Sequence, residues 1–228
     1  MIVPHRKPIR RNRNIGTAKS GYKKQSDFDI PIQNHKPFYE NIDIEEQCQR
    51  EINGQVFRFI VEKLNRGYIH VCGVDEICKV LSYCPREDLN GLALIILRQP
   101  KKKEEIFRSC WGRFIQEFYY QAERRPAIIL EAVNIDNDIK MKTAGISPFF
   151  QKEIEKLRLE GHEIKQNNGI ITIKKSMQSV KQTQLYRTLL HEVGHYVFSK
   201  RNSENTGYEE KETFANNYRE EYKKYDSQ

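Results

Sequence analysis

No run of eighteen apolar residues occurs anywhere in the 228-residue chain, so no segment has the length and polarity of a membrane-spanning helix. The opening stretch, Met1-Ile2-Val3-Pro4-His5-Arg6-Lys7-Pro8, lacks the apolar block of a secretory signal. No Cys-x-x-Cys pair is present. The five cysteines stand at Cys48, Cys72, Cys78, Cys84 and Cys110, and the six-residue interval of the middle three matches no zinc-ligand spacing. An odd count without a signal fits free thiols in a reducing compartment, acting as small buried apolar side chains. These absences lead us to expect a cytoplasmic chain with no membrane partner.

Acidic residues are missing from residues 1–24, which hold eight cations: Arg6, Lys7, Arg10, Arg11, Arg13, Lys19, Lys23 and Lys24. The chain has 39 basic and 31 acidic residues in all, so residues 25–228 balance 31 against 31 and the tail carries the whole +8. Like charges with little apolar surface stay solvated, which predicts a disordered tail and linker over residues 1–40. Such a tail is either a solubilising appendage or a weak contact for nucleic acid or another polyanion.

Twelve Tyr and eleven Phe supply material for a folded core. Ile44, Cys48, Ile52, Val56, Phe59, Ile60 and Leu64 recur at three-to-four spacing, which predicts a helix over 41–65, followed by a short helix over 74–82. We therefore expect a helical N-terminal segment at 41–88 and a catalytic domain at 89–228. Leu92–Leu97 and Ala127–Val133 are apolar runs of strand length. Residues 104–120, with Ile106, Phe107, Trp111, Phe114, Ile115 and Phe118, read as an aromatic helix. Ser147 and Pro148 start a helix that Gly161 stops. Asn168-Gly169 between two β-prone runs predicts a hairpin over 163–174.

The chemistry concentrates after that hairpin. Residues 184–199 read as a helix with Leu185, Leu189, Leu190, Val193, Val197 and Phe198 on its apolar face. His191 and His195 lie one turn apart, so both imidazoles can hold one ion. Glu192 is placed to act as general base on a metal-activated water. Gly194 costs a helix interior about 1 kcal/mol against Ala, which predicts the close approach of a second element.

A catalytic zinc takes three protein ligands. No histidine follows His195, and Arg201 stands where a third histidine of the metzincin spacing would fall, so the third ligand is a carboxylate: Glu204, Glu209, Glu210, Glu212, Glu220 or Glu221. Residues 209–224 read as a second helix, striped by Phe214, Tyr218 and Tyr222, with Glu212 and Asn216 on another face. Small Ala215 permits close packing. Glu212 is the preferred ligand, Glu209 the second choice, and Asn216 a partner for a ligand histidine. His5, His35, His70 and His162 are scattered and read as core or surface residues.

His191-Glu192-x-x-His195 followed by Glu212-x-x-Ala215-Asn216 resembles the gluzincin metallopeptidases. Glu-Thr-Phe-Ala is similar to a stretch of the anthrax lethal factor catalytic domain and related Pro-Pro endopeptidases. Glu-x-x-Ala-Asn resembles the ImmA/IrrE-type metallopeptidases, which cleave repressors. The resemblance covers about residues 184–220. It implies an α+β, zincin-like domain, with a mixed sheet packed on the His191–His195 helix and a glutamate-bearing helix after it. It also implies one Zn2+ on His191, His195 and Glu212, Glu192 as base, and cleavage of a protein or peptide substrate. Lethal-factor-like enzymes place an oxyanion-binding tyrosine where this chain has Asn205, and Tyr208 is the candidate for that role. Zincins bind peptide along an edge strand, which implies residues 127–133 or the hairpin at 163–174. The alternative function is a nucleic-acid-associated regulator that uses the same scaffold with its basic tail.

Overall fold

The computed structural model describes residues 42–101, 111–121, 123–202 and 207–227. The expected tail and linker lies outside them, as do Cys110, Glu204 and Asn205. Two strands open the described chain, β1 (Ile44–Ile52) and β2 (Gln55–Glu62), paired antiparallel from Ile52↔Gln55 outward. The helix expected over 41–65 is therefore a hairpin. Its turn is Asn53-Gly54, with φ of 51° and 75°, the positive-φ pair that a two-residue hairpin turn requires.

Helix α1 (Val74–Leu81) and the single turn α2 (Arg86–Leu89) lead to β3 (Leu94–Arg98), which runs parallel to β2. Next come β4 (Gly112–Tyr120) and β5 (Glu123–Glu131), completing a five-stranded mixed sheet of order β1-β2-β3-β5-β4. So the described part of the expected 104–120 helix is a strand. Its aromatic and β-branched residues suit a pleated surface. A register shift between Ile115 and Phe118 explains the helix-like spacing. An extra residue in a strand reverses which face the next side chains take, so Phe114 packs on one face and Phe118 on the other.

In β3 and β5 the two faces alternate. Ile95, Leu97, Ile128 and Leu130 join the core beneath the helices, and Leu94, Ile96, Ala127 and Ile129 form a second cluster on the opposite face. Strands buried on both sides read as continuous apolar runs, as these did. A three-stranded sheet, β6 (Ile139–Lys142), β8 (Ile170–Lys174) and β7 (Glu163–Asn167) in that order, carries α3 (Pro148–Leu159). Ser147 caps α3 by accepting from Phe150 N, and Asn168-Gly169 turns the predicted hairpin with φ of 48° and 71°.

The last section is helical. α4 (Met177–Gln182) continues through a π-helical stretch, Thr183–Leu189, into α5 (Leu190–Arg201), and α6 (Tyr208–Tyr222) packs against α5. The fold is α+β, as expected. Among the described residues, Cys48, Cys72, Cys78 and Cys84 are free thiols, and burial raises the Cys72 and Cys84 thiols to about 12. No helix among the described residues is long and apolar enough to cross a membrane.

Candidate metal centre

Leu189, Leu190, Val193 and Val197 anchor the start of α5 in the core beneath the sheet, which turns His191 and His195 toward α6. The helices meet at Gly194. A Cβ there would lie 2.7 Å from Ala215 Cα and 3.1 Å from Ala215 O, so only glycine permits this approach. With Ala215 at the crossing, Glu212 and Asn216 come alongside the two imidazoles.

His191 Nε2 and His195 Nε2 are 3.0 Å apart, and Glu212 Oε2 and Oε1 lie 3.5 and 3.4 Å from them respectively. Zinc bonds of about 2.0–2.1 Å in a tetrahedron separate ligand atoms by about 3.3 Å, so the trio has the dimensions to hold such an ion. Among the described residues it forms a group in which one ligand atom from each side chain lies within 4.8 Å of the others. Burial, with the neighbouring charge of His195, lowers the His191 pKa to about 3, and burial also lowers that of His195. Both rings are thus neutral near pH 7, the state in which imidazole binds metals. Asn216 lies near enough to His191 to favour its charged form, yet Nδ1 of His191 is buried without a hydrogen bond.

Glu192 lies under β4. Its Oε2 accepts from Phe114 N at 2.7 Å. Burial raises its pKa to about 8, against the lowering effect of that hydrogen bond. A cation held by the neighbouring trio would favour the carboxylate and oppose the burial effect. Tyr208 begins α6, is 76% exposed and lines the same cleft as Glu212, whose charge raises the phenol pKa.

Of the remaining acidic candidates, Glu209 lines the cleft outside the trio, Glu210 and Glu221 are exposed, and Glu220 pairs with Arg219. His70 Nε2 contacts the Glu62 carbonyl, and His162 is buried. The cleft measures about 560 Å³. A larger one, about 860 Å³ between α3 and the three-stranded sheet, contains no member of the trio.

Residues 127–133 do not form an edge. β4 covers the outer side of β5 by antiparallel pairing, so among the described residues β4 is the edge strand above the site, and β7 is an edge of the small sheet. Three features escaped the sequence: Phe114 N, a backbone group; Arg187, four residues before His191; and Arg219, seven after Glu212. The signal that could have found the last two is helical spacing, four residues before His191 and seven after Glu212. No protein-family model, curated protein or solved structure matches the chain.

Proposed function

We propose that the chain is a zinc-dependent endopeptidase of zincin-like, gluzincin type, acting on a protein or peptide substrate. The observation that carries this is the convergence of two neutral imidazoles and the Glu212 carboxylate, with Glu192 held beside them at the edge strand of the described sheet. The chemistry that zinc supplies in such a site is Lewis acidity toward a carbonyl oxygen and a lowered pKa for water.

The rest falls to the chain's own residues. Glu131 N donates to Trp111 O on the inner side of β4, so the alternate residues Gly112 and Phe114 turn to the outer side, where Glu192 takes the Phe114 N–H and the Gly112 N–H and C=O and the Phe114 C=O are left for a ladder. An extended peptide pairs with those groups by strand addition. Glu192 then takes a proton from the water whose oxygen bonds to the scissile carbonyl carbon. It passes that proton to the departing amine as the C–N bond breaks. The Tyr208 hydroxyl donates to the oxygen that becomes negative. Asn216 steadies His191 from outside the ligand set.

Glu192→Gln tests the proposal. The variant should bind zinc with wild-type stoichiometry and lose at least about 100-fold in peptide cleavage, the scale of general-base catalysis, read as new termini in a peptide library. Wild-type cleavage by Glu192→Gln, or failure of the wild type to retain zinc, would falsify it.

A further inference from the structure

The cleft beside the trio has a polarity that peptide hydrolysis alone does not require. Lys156 from α3, Arg187 from the π-helical stretch and Arg219 from α6 all line it. Two of these cations are satisfied. Glu153 lies 2.5 Å from Lys156 Nζ and 2.9 Å from Arg187 Nη1, and Glu160 lies 3.0 Å from Arg187 Nε. The four charges cancel and fix Arg187 in the wall.

Arg219 differs. Its side chain is 10% exposed, while that of its partner Glu220 is 60% exposed. Nε and Nη2 both donate to a single Glu220 oxygen, at 2.9 and 2.5 Å. A guanidinium offers five donors in a flat fork that suits a carboxylate. Here a largely desolvated fork faces a substrate cleft, held by an acid that can swing into solvent.

The strand edge gives this cleft a direction. Glu192 sits at Phe114, whereas Trp111 and Gly112, toward the N-terminal end of β4, line the cleft with Arg219. A peptide pairing antiparallel with β4, the stronger ladder, runs from the reaction centre toward that end with the residues that follow the scissile bond.

We propose that the substrate carries Asp or Glu immediately after the scissile bond, and that Arg219 receives that carboxylate. This inference rests on the peptidase reading. Its test incubates the zinc-loaded full chain with peptides that differ only at that position, and compares Asp and Glu with their isosteres Asn and Gln. A charge-assisted hydrogen bond exceeds a neutral one by enough to give the acidic peptides about tenfold higher kcat/KM. Arg219→Gln should bring that ratio close to one, and Arg219→Lys, which keeps the charge without the fork, should give an intermediate value. The ratio is read rather than the rate, with zinc content measured in parallel.

Cleavage with no acidic preference, or a preference that survives in both variants, overturns the inference and leaves the peptidase reading standing. So does an acidic preference on the other side of the cut. Cleavage of no peptide at all overturns both.

Discussion

His162 shows how far one side chain can tie pH to stability in this fold. It is 3% exposed, and its Nε2 lies 2.9 Å from Thr183 Oγ1, which in turn lies 2.6 Å from Glu160 Oε2. The hydroxyl donates to the carboxylate, so the imidazole donates to the hydroxyl, and Glu160 finally meets Arg187. Burial lowers the imidazole pKa to about 4. An unfolded chain, with a histidine pKa near 6.5, takes up a proton below that pH while the folded chain resists it down to about 4. The stabilisation is therefore full above pH 6.5 and lost as pH falls toward 4. Between pH 7.5 and 5 the wild type should lose about 2 kcal/mol more than His162→Gln, which keeps a donor but cannot titrate. Urea midpoints across that range check it, and parallel profiles for the two proteins would refute it. The sequence left His162 open between core and surface and carried no sign of its partners. In the site, by contrast, His191, Glu192 and His195 were legible from helical spacing, and Glu212 from its place beside small Ala215 on a second helix that packs against the first. Phe114 N was not, since an edge N–H becomes visible only once strand pairing is known.

At the level of elements, the crossing of α5 and α6 sets the distance on which the metal trio depends. Alanine is favoured over glycine by about 1 kcal/mol in a helix interior, so Gly194→Ala would stabilise an isolated α5. In the fold, the added methyl would meet Ala215 backbone at 2.7 Å and Tyr218 Cβ at 3.1 Å, and neither is a flexible tip that can yield. Overpacking of this kind costs about 1–3 kcal/mol and moves Glu212 away from the histidines. We expect Gly194→Ala to lower the melting temperature and to weaken zinc binding at least about tenfold, an effect of about 1.4 kcal/mol, measured by competition with a chelator. Unchanged affinity would show that the crossing does not set the ligand distance. The same scale shows why one hairpin was legible and the other was not. Asn168-Gly169 and Asn53-Gly54 are the same dipeptide in the same positive-φ geometry, but the second is flanked by apolar residues whose spacing also fits a helix. Turn chemistry outweighed periodicity at both places. In β4 the misleading signal was the register shift between Ile115 and Phe118, which gives a strand the face pattern of a helix.

Across the whole molecule, charge is divided along the chain. Residues 1–24 hold eight cations and no acid, and the remainder is balanced. The catalytic proposal draws on none of those eight residues, whereas the nucleic-acid alternative depends on them. Binding that neutralises Z phosphates weakens with salt in proportion to Z, so eight contacts give a log–log slope of about −7 on duplex DNA. Deleting residues 1–24 leaves a charge-balanced chain with no comparable long-range attraction for a polyanion. If the tail is a polyanion contact, the full chain should bind duplex DNA with a steep salt dependence, and the deletion variant should lose that binding while keeping zinc and peptide cleavage. Fluorescence anisotropy over about 50–200 mM salt, the range in which such contacts weaken most visibly, measures the slope, and a cleavage assay on the same preparations measures the other activity. Equal, salt-insensitive binding by both forms would exclude the tail as the contact. Loss of cleavage on deletion would make residues 1–24 part of the peptidase itself, because a tail that only attracts polyanions has no means of altering hydrolysis of a neutral peptide.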